Sequence, residues 1–166
     1  MLRQTSVYTM IEINADKIAQ EVISGLKATM AQKKRNATGR SSASLYSEFD
    51  ESTMTISILG AVFNDGKDHW QYIEKGRPAN QTPPPYARIL EWCVAKGIPR
   101  EAAWAIRANI SKFGSPRKKG SKSIDQSKLD VVRDTMKAVE PFILKELDKQ
   151  AEASFEATIG KQWQSL

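Results

Sequence analysis

The chain has one cysteine (Cys93) and one histidine (His69) among its 166 residues. A single cysteine excludes an internal disulfide. With a single histidine beside it, little is left for a zinc site built from protein ligands alone. No apolar run approaches the length of a membrane span. The opening MLRQTSVYTMIEINAD alternates polar and apolar residues instead of forming a continuous apolar region, so it does not read as a signal peptide. Neither Gly-x-x-x-x-Gly-Lys-Ser/Thr nor Gly-x-Gly-x-x-Gly occurs, so no phosphate-cradling loop or dinucleotide fingerprint is expected. A serine or cysteine nucleophile needs a nearby base, and the lone His69 sits beside Trp70 in a stretch that looks structural. These absences predict a non-enzymatic chain with no cofactor, no metal and no membrane partner. The expected setting is intracellular, or a particle assembled inside a cell, where the Asn36-Ala37-Thr38 sequon has no meaning.

What is present is an ordinary balance for one domain, or for one domain with an appended arm. Hydrophobic residues make up 40% and charged residues 27%. The net charge is +6 and the sequence pI is near 9.4, which favours contact with something acidic, either nucleic acid or a protein surface.

Val7, Thr9, Ile11 and Ile13 alternate as in a short strand. Asn14 then suits the cap of a helix over 15–34, whose apolar face is Ile18, Val22, Ile23, Leu26 and Met30. Two strands follow, with Leu45, Ser47 and Phe49 on one face and Met54, Ile56 and Ile58 on the matching face of the next. Asp50-Glu51-Ser52 serves as a hairpin loop between them. Gly60 breaks the alternation and suggests a bulge or bend. Tyr86, Ile89, Leu90, Cys93 and Val94 predict a helix ending at Gly97. Pro99 opens another that reaches Phe113, with Ala103, Ile106 and Ile110 inward. The Gly/Ser/Lys-rich residues 114–123 read as a mobile loop. Leu129, Val132, Met136 and Val139, then Phe142, Ile143 and Leu147, read as helix with a kink or break just before Pro141. The fold class expected is α+β: a small antiparallel sheet packed with helices, and a long C-terminal helical arm. Residues 1–123 form the core domain, and 124–166 form an arm that packs on the core or on a neighbouring subunit.

Three constellations bear on chemistry. Asp65-Gly66-Lys67, with Glu48 and Asp50 on the preceding strand, resembles the carboxylate-and-lysine set of metal-dependent nucleases, but Asp-Gly is also the commonest way to write a turn. Lys112, Arg117, Lys118, Lys119 and Lys122 place five positive charges in one short segment. That segment is a solvated loop, a loop that orders on an acidic protein, or a phosphate contact; it has no interleaved aromatics for stacking bases. Trp92 and Trp104 point off the apolar faces of consecutive helices. Either these helices cover each other's outer faces or a partner does, and Trp163 raises the same question. The stretch from His69 to Trp92, with Gly76-Arg77-Pro78 and Pro83-Pro84-Pro85, reads as a stiffened docking element.

The order of short motifs is similar to a known family. An amphipathic helix is followed by Thr38-Gly39-Arg40-Ser41 and a strand with Ser44-Leu45. Then come Tyr72-Ile73-Glu74-Lys75-Gly76-Arg77-Pro78, Pro83-Pro84, a helix with Ile89 and Trp92, Lys96-Gly97-Ile98, Ala103-Trp104-Ala105-Ile106 closing at Gly114, and later Pro141-Phe142. Over roughly residues 15–150 this resembles the tail-completion, or head–tail joining, proteins of tailed bacteriophages. The resemblance implies a virion structural protein that forms a ring of about six or twelve copies at the neck. Such a ring links portal or connector to the tail tube, is assembled in the host cytoplasm, and surrounds the genomic DNA passing through its lumen. It brings no catalytic residues. Its interface residues here would be Tyr72, Glu74, Arg77, Pro78, Trp92 and Trp104, with Glu74 or Arg77 meeting a charge on the next subunit. The basic loop is longer than the family pattern, and the helix over 129–139 has no counterpart of that length. The alternative expectation is a basic nucleic-acid-binding accessory protein that uses the 112–122 segment.

Overall fold

The computed structural model describes residues 14–35, 39–60, 70–118, 120–121 and 123–163. Its elements in chain order are α1 (Ala15–Gln32), α2 (Arg40–Ala43), β1 (Leu45–Asp50), β2 (Thr55–Gly60), α3 (Trp70–Lys75), α4 (Tyr86–Ala95), α5 (Ala102–Phe113), a 3-10 turn (Gln126–Lys128) and α6 (Val131–Trp163). An α+β class fits this order, with the antiparallel β1–β2 hairpin as the sheet among the described residues and a long C-terminal helix. The strand expected at Val7–Ile13 lies outside the described residues. So do Asn36, Asp65–Lys67, His69, Lys119 and Lys122, and the side chain of Trp163.

Helix α1 starts where Asn14 Oδ1 accepts the Lys17 amide at 3.0 Å, which satisfies one of the free donors of the first turn. Its buried face of Val22, Ile23, Leu26 and Met30 meets Leu45 of β1, Ile73 of α3, and Val131 and Val139 of α6 in one core. Thr29 and Thr135, deep between α1 and α6, join their hydroxyls at 2.8 Å. Two ion pairs flank this contact: Lys17–Glu146 at 2.6 Å and Lys33–Asp134 at 2.5 Å. The first half of α6 thus supplies part of the same core as α1. A second, smaller cluster forms where α4 packs on α5 through Ile89, Cys93 and Ala103.

Several expectations are corrected. Pro141 does not break α6, which runs unbroken through it. The ring faces solvent, and contacts on both sides hold the helix against α1: Val139 before it, and Glu146 and Gln150 after it. Such packing offsets the roughly 3 kcal/mol that a helix-interior proline costs. Met54 is not a strand residue. It occupies the hairpin turn with φ of 51° and is 51% exposed, so the register pairs Phe49 with Ile56 and Ser47 with Ile58. Gly60 is no bulge: it pairs with Leu45 as the last residue of β2. A Cβ there would lie 2.3 Å from the Trp70 indole nitrogen, so close approach explains the glycine. Val94 is exposed instead of lining the inner face of α4. Helix α5 begins at Ala102, three residues later than expected, because Pro99–Glu101 form a turn with i→i+3 bonds to Pro99 and Arg100.

Candidate functional site

The Gly76-Arg77-Pro78 segment has a partner elsewhere in the chain. Arg77 and Ser115 exchange both backbone hydrogen bonds, at 2.6 and 3.0 Å, as an isolated antiparallel bridge. Each side of this clasp is a Gly-x-Pro triplet, 76–78 against 114–116. Both glycines have positive φ (+76° and +75°). A Cβ on Gly76 would sit 2.7 Å from the Ser115 carbonyl oxygen, and one on Gly114 would sit 2.4 Å from that of Arg77. The two backbones meet so closely that only glycine fits on either side.

From this clasp the proline-rich segment is pinned along α5. The Arg77 guanidinium donates to the Thr82 carbonyl and lies over the Tyr72 ring at 5.5 Å. Ser111 Oγ donates to the Gln81 carbonyl at 2.6 Å, and Arg107 Nε donates to that of Pro84 at 2.8 Å. Proline stiffness and these bonds together fix the segment between α3 and α4 against α5.

Glu74 is committed within the chain as well. Its carboxylate accepts the Val132 amide at 2.8 Å and its carbonyl accepts the Asp130 amide at 3.0 Å, so it caps the N-terminus of α6. Tyr72, half-buried, gives its carbonyl to the Arg35 guanidinium. Pro78 is exposed. Four of the residues picked out in the sequence therefore gather at one place: Tyr72, Glu74 and Arg77 make internal contacts there, and Pro78 follows them. Only the clasp's second half, Gly114-Ser115-Pro116, escaped sequence reasoning. The repeat of the Gly-x-Pro pattern was the signal available for it.

The tryptophans separate. Trp92 is partly buried against the α4–α5 cluster, so the hairpin covers it internally. Trp104 remains 59% exposed. Its ring stacks on Tyr86 with centroids 4.5 Å apart and a 23° interplanar angle, and Arg107 lies 5.4 Å from its centroid. This aromatic and cationic surface continues to Lys112. The basic loop that follows is tied down over its described part. Arg117 lies 4.8 Å from the Phe113 ring centroid and donates twice to the Ser121 carbonyl, at 2.7 and 3.0 Å. Arg117 also bridges to Ile124. Of the five cations expected there, Lys112 and Lys118 are described and exposed, and Arg117 is spent on holding the loop.

The nuclease constellation gains nothing from its described members. Asp50 accepts the Ser52 amide and hydroxyl in the hairpin turn, at 2.9 and 2.7 Å, and those bonds hold its carboxyl below the usual range. Among the described residues, no group of three or more His, Cys, Asp or Glu is arranged to hold a metal ion. No helix among them is long and apolar enough to cross a membrane. Comparison with protein-family models, curated proteins and solved structures finds no match.

Proposed function

We propose that this chain is a structural virion protein that oligomerises into a ring at the head–tail junction of a tailed phage, without enzymatic activity. In that position it joins portal or connector to tail around the DNA channel. The order of motifs from the N-terminal helix to Pro141-Phe142 supports the reading. The observation that carries it is the exposed Trp104 with its Tyr86 stack and Arg107. These residues stand on a hairpin that the Gly-x-Pro clasp and the proline segment fix in place. Trp and Arg dominate the energetics of protein contacts, and a pre-organised carrier lowers the entropy lost on docking.

The test is native mass spectrometry of the purified chain without nucleic acid, with negative-stain imaging of the same sample. A closed oligomer with a central lumen is the expected result. A monomer that instead binds duplex DNA, with affinity falling steeply as salt rises, would replace this reading with a nucleic-acid accessory protein working through Lys112 and Lys118.

A further inference from the structure

The second half of α6 carries an apolar stripe that is exposed among the described residues. Leu144 is 55% exposed, Leu147 36%, Phe155 67% and Ile159 37%. With Ala151, these side chains fall within about 60° of Leu144 at 100° per residue. From Glu140 onward, the ionisable residues within about 80° of the same line are Glu140, Asp148 and Glu152, all acidic. Lys145 and Lys149 lie further round the helix. Residues 140–159 hold five acidic and two basic side chains in all.

The α4–α5 hairpin has the opposite character. Residues 85–113 hold five basic and two acidic side chains. One of the acids, Glu91, is already paired with Arg40 and Arg88, each at 3.2 Å. On α5, Arg107 lies 5.4 Å from the exposed Trp104 ring and Lys112 falls within about 80° of it, while Arg100 and Glu101 stand in the turn just before the helix. Among the described residues Arg100, Lys112, Asp148 and Glu152 enter no ion pair, so their charges are available to a partner.

We infer that the outer face of α5 on one copy, with the turn that leads into it, docks along the apolar, acidic stripe of α6 on the next. Trp104 is seated on the stripe beside Leu147 and Ala151, and the basic residues that flank it face Asp148 and Glu152. The face of α5 runs about 15 Å from Ala102 to Lys112 and so fits along the stripe, which runs about 22 Å from Leu144 to Ile159. They are opposite in charge, and each has an apolar centre with a charged rim, as protein interfaces do. The two patches differ, so the contact is head to tail: it closes into a ring or runs on as an open chain. The inference rests on the ring reading for its second copy. A single helix-on-helix contact lies at the small end of specific interfaces, so association depends on concentration.

Sedimentation velocity over a concentration series tests this on the full chain. The samples are wild type, Arg100→Glu/Lys112→Glu, Asp148→Lys/Glu152→Lys, and an equimolar mixture of the two variants, with circular dichroism confirming that each is folded. Wild type should associate, and each variant alone should lose association by about tenfold or more, because like charges then face each other. The mixture should regain it, because the reversed basic face of one variant meets the reversed acidic face of the other, while the two unreversed faces also meet. Variants that associate as wild type does overturn the assignment of faces and leave a ring built on other surfaces standing. Loss that mixing does not restore also overturns it, as does a wild type that stays monomeric at millimolar concentration. Open chains in the restored mixture would keep the contact and remove the ring.

Discussion

Replacing Gly114 by alanine tests the clasp on which the site depends. Its backbone (φ 75°, ψ −174°) lies in a region that only glycine enters freely. A side chain held there costs about 1–3 kcal/mol. The added Cβ would also press on the Arg77 carbonyl oxygen from 2.4 Å, with the Ala79 nitrogen at 3.1 Å. Both neighbours are backbone, so no rotamer change relieves the clash. The alternative is to open the clasp, which forfeits two backbone hydrogen bonds worth about 0.5–1.5 kcal/mol each and unpins Arg77. Either route costs about 2–3 kcal/mol. With a slope of about 2 kcal/mol per molar, the urea midpoint followed by circular dichroism should fall by about 1 M or more. Gly97→Ala is the matched control. Its φ is also positive (+65°), but nothing lies within 4 Å of the added Cβ, so only the roughly 1 kcal/mol left-handed penalty applies. Equal midpoints for the two variants would refute the close-approach argument.

Trp104→Ala should lower the melting temperature only modestly, because its internal partners are the Tyr86 stack, worth about 0.5–1.5 kcal/mol, and the Arg107 guanidinium, worth about 0.5–1 kcal/mol. The same variant should abolish association in sedimentation velocity; an unchanged oligomer would remove Trp104 from the interface. Glu74→Ala should cost about 1 kcal/mol in urea unfolding through loss of the α6 cap, and a neutral result would mean that water serves the Val132 amide equally well. Thr135→Val should cost about 1–3 kcal/mol by stranding the Thr29 hydroxyl, and Thr29→Val/Thr135→Val should recover part of that loss; additive costs would show the bond to be immaterial. The Asp134 and Glu146 carboxyls are held below their usual range, first by hydrogen bonds from Lys33 and Lys17 respectively. A depressed folded pKa adds stability above the unfolded pKa that is lost as pH falls through the folded one. The gap in melting temperature between wild type and Asp134→Asn/Glu146→Gln should therefore be widest near neutrality and close on acidification, and a gap independent of pH would sink this account.

The core was legible because helical periodicity survives translation into burial. Ile18, Val22, Ile23, Leu26 and Met30 are all buried on α1, and Ile89, Cys93 and Ala103 centre the second cluster. The hairpin was legible for the same reason at period two, apart from Met54, whose side chain reads as strand while its backbone is that of a turn. What stayed hidden was long-range. Pro141 follows a local rule that packing against α1 overrides. The short helix α3 has too few turns for a periodic signal. The partner of Gly76-Arg77-Pro78 lies nearly forty residues away, and no local pattern encodes that pairing.

The residues that drew attention in the sequence and the residues left free to touch a partner are largely different sets. Tyr72, Glu74 and Arg77 are occupied by Arg35, by the start of α6, and by Thr82 and Ser115. Trp104 and the α6 stripe remain open. On the ring reading, a substitution at Arg77 would weaken assembly by releasing the α4–α5 hairpin that carries Trp104, whether or not Arg77 itself touches a neighbour. Loss of assembly alone would be misread as evidence of contact. The two roles separate when stability is measured beside association: Arg77→Ala should lower the urea midpoint and association together, whereas Arg100→Glu/Lys112→Glu should lower association alone. If Arg77→Ala left the midpoint unchanged and still dissolved the oligomer, the clasp would itself be an interface.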